Sequence, residues 1–102
     1  MDEYYIARLD RYITDYNKQI QNLQNKIADE NKKLDSFNAL LADLNKQKNY
    51  VAADELIKVN KQIADTNTGI TECNSNIVTY NNSIKDIKNK IQNTEAIKEV
   101  YK

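Results

Sequence analysis

The sequence predicts an all-α protein: a long antiparallel two-helix coiled-coil hairpin, with assembly into a larger helical bundle open to it. Three observations predict this. Pro is absent and Gly occurs once, at Gly69, so the turn residues of a compact mixed fold are missing. Apolar residues recur at alternating spacings of three and four, which marks a coiled-coil seam, whereas strict alternation would mark a strand. The phase of that repeat changes once, near the middle of the chain.

The first series runs Ile6, Leu9, Ile13, Tyr16, Ile20, Leu23, Ile27, Glu30, Leu34, Phe37, Leu41, Leu44, with Glu30 its one polar member. The second runs Leu56, Val59, Ile63, Thr66, Ile70, Cys73, Ile77, Tyr80, Ile84, Ile87, Ile91. Continuing the first would place a seam position at Glu55, yet the second begins at Leu56. Either the chain reverses at about 48–52, or one helix continues through a one-residue skip that adjusts the supercoil.

The flanking positions favour reversal. In an antiparallel pair the e positions face one another. Here they are Asp10, Asn17, Gln24, Asn31, Asn38 and Asn45, then Asn60, Asn67, Asn74, Asn81 and Lys88. Folding about Tyr50 stacks Asn38 on Asn60 and Asn31 on Asn67, and sets Asp10 against Lys88. The same fold layers Leu9 with Ile91, Ile13 with Ile87, Ile20 with Tyr80 and Leu41 with Val59, and turns Glu30 towards Ile70. The single domain then consists of a helix over about 3–48, a tip over about 48–52 and a helix over about 52–101. Each arm of about 45 residues measures roughly 68 Å at 1.5 Å per residue. Asn49 is the candidate cap of the second helix.

Between Asp65 and Ser83 poor helix formers gather around Gly69. The heptad phase survives them, which predicts one continuous helix with a soft middle; three shorter helices broken near Gly69 is the alternative.

Composition narrows function by exclusion. With no His, the commonest general base and metal ligand is lacking; one Gly rules out a glycine-rich phosphate loop; one Cys rules out an internal disulfide and paired-thiol zinc sites. The expectation is a non-enzyme with no catalytic residues, no metal, no cofactor and no small-molecule substrate. Fifteen Lys and Arg balance fifteen Asp and Glu, so no net field attracts a polyanion. No apolar run spans a bilayer, and Met1 leads directly into Asp2 and Glu3, so a soluble cytoplasmic protein is expected, or a virion component if the gene is a phage's. Fifteen Asn, thirteen Lys, twelve Ile and seven Tyr make a composition of AT-rich codons, as in a low-GC microbe or one of its viruses.

A two-helix seam shields one face of each arm, so a further contact is expected to add burial. A second apolar line lies at Ala7, Ala28, Ala42, Ile57, Ala64 and Val78, with Leu40, Tyr5, Tyr12 and Ile97 on another flank. Tyr4, Tyr5 and Tyr12 accompany Arg8 and Arg11, a mixture enriched at protein interfaces. The candidate interface residues are therefore Tyr4, Tyr5, Arg8, Tyr12, Leu40, Tyr50, Ile57, Val78 and Ile97. The plainer alternative is that Tyr5 and Tyr12 only cover the hairpin's open end beside Ile97 and Tyr101. Cys73, at a seam position, reads as a small buried hydrophobe, and Glu30 as a solvated or register-fixing polar residue.

The tip, Lys48-Asn49-Tyr50-Val51-Ala52-Ala53-Asp54-Glu55-Leu56, resembles the short helical-hairpin element of excision-repair subunits and some protease adaptors. That resemblance implies a tip that meets another protein. The Trp-x-Gly turn of small secreted helical hairpins is missing, since the chain has no Trp. The expected function is structural: a helical spacer or clamp for other protein subunits, in a virus particle or another large assembly, with a protein partner or a homo-oligomer. The alternatives are a small inhibitor or adaptor on a partner enzyme and, less favoured by the charge balance, a nucleic-acid-associated protein.

Overall fold

The computed structural model describes residues 2–102. They form an antiparallel helical hairpin of two long helices, α1 (Asp2–Gln47) and α2 (Ala53–Val100), with no strand among them. Each helix has acids in its first turn, Asp2 and Glu3 or Asp54 and Glu55, and a base in its last, Lys46 or Lys98, the signs that suit the helix dipole. The chain reverses through 48–52. The Lys48 amide donates to the Leu44 carbonyl at 3.0 Å, and those of Asn49 and Tyr50 donate three residues back, to Lys46 and Gln47 at 3.2 and 2.9 Å. This tightening of the last turn satisfies carbonyls that the helix end leaves open. No described residue has positive φ, so the reversal needs neither Gly nor Pro. The Ala52 carbonyl accepts the first helical bond of α2, from the Leu56 amide at 2.8 Å, which puts Ala52 at the N-cap rather than Asn49.

Every seam residue of both series is buried or half-buried, as are Thr94 and Lys98, the next two steps of the second series. Nearly everything else is exposed. The polar seam members are accommodated locally: Thr66 donates its hydroxyl to the Gln62 carbonyl at 2.7 Å and Thr94 to that of Lys90 at 2.8 Å. Such back-bonding satisfies the hydroxyl within its own helix, so both side chains can be buried. Thr68 and Thr71 do the same to Ala64 and Asn67 in the stretch around Gly69. There α2 runs on as one helix, unbroken into shorter pieces.

The helices pack as two compact units, Met1–Lys26 with Thr79–Lys102 and Ile27–Val78. In the first, Ile20, Ile84, Ile87 and Thr94 are buried. Tyr5 stacks on Tyr101 with ring centroids 5.5 Å apart, Asp10 Oδ1 pairs with Lys98 Nζ at 2.6 Å, and Lys26 Nζ lies 5.8 Å from the Tyr80 ring centroid. In the second, Glu30, Leu44, Val59, Thr66 and Cys73 are buried, and the Phe37 ring lies over Gly69.

These pairs correct the expected register. Asp10 meets Lys98 and not Lys88, and the polar neighbours of Glu30 are Cys73 and Asn76. In both units the partners on α2 lie further towards its carboxyl end than folding about Tyr50 implies, by ten residues for Asp10 and by three and six for Glu30, which centres on a shift of about one heptad. The geometry of the reversal is the reason. Leu44 and Gln47 share a groove with Gln62 and Thr66, so the first turn of α2 projects past the last turn of α1 instead of pairing with it.

Gly69 is explained by the same register. A Cβ there would lie 2.8 Å from Phe37 Cζ, and 3.0 and 3.1 Å from the two Cε atoms, closer than carbon atoms pack. The glycine is a seat for the ring, which is why a residue costing about 1 kcal/mol of helix propensity sits mid-helix.

Two outcomes follow from this packing. With Cys73 replaced by Ser, cysteines at Asn38 and Asn67 crosslink within one chain through a bis-maleimide shorter than the ~10 Å axial offset of one heptad; those at Asn38 and Asn60 do not, as mass spectrometry of the digest reports. In chemical denaturation, Gly69→Ala is at least about 1 kcal/mol less favourable in the wild-type background than in a Phe37→Leu background, where removing the ring leaves only the helix-propensity gain.

Candidate protein interface

The amino end of α1 and the carboxyl end of α2 bring the aromatic candidates together. Tyr4, Tyr5, Arg8 and Tyr12 fall within three turns of α1, because spacings of one, three and four keep them on neighbouring strips of the helix. Tyr4 meets Tyr5 edge-on at 6.1 Å between centroids, and Tyr5 in turn stacks on Tyr101 with the planes 20° apart. Tyr12 and Ile97 lie on the same flank of the seam, 43% and 49% exposed. The neighbouring Tyr12 hydroxyl, as a hydrogen-bond partner, raises the proton affinity of Arg8, an already strong base. Tyr4, Ala7, Arg8 and Arg11 line a shallow hollow on the outer face.

Lys98 anchors this end. Its hydrogen bond with Asp10 raises its proton affinity against the opposing effect of burial. The pair holds Lys98 half-buried at a seam position while Ile97 stays outside. Val100, exposed beside Tyr101, belongs to the same surface and was missed by periodicity because it lies off both apolar lines.

The remaining candidates, Leu40, Tyr50, Ile57 and Val78, belong to the unit Ile27–Val78. All four are exposed: Leu40 rims the groove with Leu44, Gln47, Gln62, Asp65 and Thr66, and Tyr50, at 88%, stands out from the reversal. They form no cluster like the aromatic end.

One further polar feature lies inside the seam. Glu30 is only 6% exposed. Its Oε1 accepts from Lys33 Nζ at 3.4 Å, while Oε2 has no partner in ordinary hydrogen-bond geometry. The neighbouring Cys73 thiol holds the carboxyl below its usual range; burial opposes this, and Asn76 and Lys33 support it. Burial, with Glu30 alongside, pushes the Cys73 thiol up, away from the reactive thiolate. Among the described residues no three of His, Cys, Asp and Glu gather as metal ligands, and no helix is long and apolar enough to cross a membrane.

No protein-family model matches the chain, and neither the curated proteins nor the solved structures contain a match to it.

Because the folded Glu30 carboxyl ionises below its usual range, its ionisation adds stability above the unfolded value, and that contribution is lost as pH falls towards the folded value. The thermal midpoint of the wild type therefore drops more between neutral pH and about pH 4 than that of Glu30→Gln, which has no such proton to bind; parallel curves would exclude this coupling.

Proposed function

We propose that this chain is a non-enzymatic coiled-coil protein that spaces or clamps other protein subunits in a larger assembly, gripping them through its aromatic open end. The supporting observation is the concentration of exposed Tyr4, Tyr5, Tyr12, Ile97, Val100 and Tyr101 around Arg8 and Arg11. Tyr and Arg supply most of the energy at protein contacts, since each offers a large apolar body with a polar tip. A helical flank that only met water would need none of them. The balanced charge supports a protein partner over a nucleic acid, and the sequence offers no nucleophile–base pair or phosphate loop for catalysis.

Recovery of the chain from its native source tests the reading. Stoichiometric copies within a multi-subunit protein particle are expected, and Tyr4→Ala with Arg8→Glu should release the chain from that particle while its helix content stays constant. A tight one-to-one complex with an enzyme would replace the spacer by an inhibitor or adaptor. Salt-sensitive retention on nucleic acid would replace it by a nucleic-acid binder.

A further inference from the structure

We infer that the aromatic open end is where a second copy of this chain docks, so that the unit built from Met1–Lys26 and Thr79–Lys102 is paired in solution. The inference rests on the reading of this end as a protein interface and names its occupant.

Area is the first argument. The chain leaves 7592 Å² accessible, whereas a compact monomer of its 11.9 kDa mass would leave about 5,900 Å². Among the described residues no side chain falls below 2% exposure, and only Ile20, Leu44, Val59, Cys73, Ile84 and Ile87 form the buried apolar core. A standard interface hides about 800 Å² on each partner, which would cover roughly half of that excess.

Location is the second. Among the described residues ten large hydrophobic side chains are exposed, and six of them (Tyr4, Tyr5, Tyr12, Ile97, Val100 and Tyr101) fall in 4–12 and 97–101, so burial is to be gained chiefly at this end. Tyr4, Tyr5 and Tyr101 already stand in ring-to-ring contact, so two of these surfaces would meet with part of their rotamer entropy already lost.

Charge is the third, and it favours a copy of the same chain. A two-fold contact places a surface against itself, so a patch of one sign would repel its partner. The exposed charged residues that neighbour these side chains in sequence mix Arg8, Arg11 and Lys102 with Asp2, Glu3, Glu95 and Glu99, and the whole chain carries no net charge. The bases of one copy can meet the acids of the other.

Sedimentation equilibrium of the purified chain over a concentration series tests the pairing. The expected result is a dimer of twice the 11.9 kDa chain mass. Tyr12→Glu and Ile97→Glu each raise the dimer dissociation constant at least about tenfold, while Val78→Glu, more exposed than either but outside this end, leaves it unchanged. Circular dichroism confirms retained helix; should either variant lose it, Tyr4→Glu at the 69%-exposed Tyr4 takes its place. A monomer at every concentration up to about 1 mM overturns the inference, as does a dimer indifferent to the end variants or broken by Val78→Glu. A monomer whose Ile97→Glu variant also drops out of the native particle overturns the self-pairing alone. A monomer whose end variants remain in the particle overturns both.

Discussion

One narrow stripe of side chains on each helix holds this hairpin together, and the rest of the structure depends on how that stripe is filled. Two helices touching along a line can cover only the a and d positions, so the seam residues are buried or half-buried while the outer faces stay in water. Full burial of a large apolar side chain is worth about 1.5–3 kcal/mol. None of these reaches full burial, so each contributes less. Stability is therefore the sum of many partial terms, and polar intrusions into the stripe matter more than they would in a thick core. Thr66 and Thr94 enter at little cost because each hydroxyl is satisfied one turn back in its own helix. Glu30 has no such remedy for Oε2, and it is Cys73, Asn76 and Lys33 that outweigh the burial of its charge.

A regular heptad does not choose its own register. Sliding α2 by seven residues past α1 again sets apolar against apolar and amide against amide, so the choice falls to the irregular residues. Three of them agree. Phe37 needs a position without a Cβ, and Gly69 is the only glycine in the chain. Glu30 needs polar neighbours, and this register supplies Asn76 and Cys73, where a heptad's slip would put Gly69 in the place of Asn76 and Thr66 in that of Cys73. Asp10 finds Lys98 at the end of α2. The residues that weaken the repeat when it is viewed as a pattern thus single out one alignment when it is viewed as packing.

This division explains what could be read from the residues alone. The seam positions were legible because burial in a two-helix contact follows the three-four spacing with little tertiary override, and Glu30 and Cys73 fell into place as members of it. The hairpin itself was legible from the phase change between Leu44 and Leu56. The register was not, since amide flanks such as Asn38 against Asn60 or Asn67 are chemically equivalent, and the reversal could be centred only by knowing how many residues of α2 project beyond α1. Gly69 was misleading for a related reason: propensity treats it as a weak point in the helix, whereas its value lies in the space it leaves for a ring 32 positions earlier. At the open end the tyrosines stood out by type and their place beside Tyr101 was one of the two readings, but the stacking of Tyr5 on Tyr101 depends on the register and so was out of reach.

Charge balance adds a last constraint on anything that docks at the aromatic end. A neutral chain with both signs interspersed produces no long-range field, so a partner would receive little electrostatic steering and would associate at the rates set by diffusion and orientation. Discrimination would then have to come after contact, from how well rings and guanidinium groups fit the opposing surface. Arg8 is already engaged by Tyr12, and Tyr5 by Tyr101, so the groups that would do this are held by neighbours before any partner arrives. Such preorganisation lowers the entropy lost on binding and acts mainly on how long a complex lasts. A surface of this kind suits contacts that are formed once and kept, as in an assembled particle, better than contacts that must be found quickly and released.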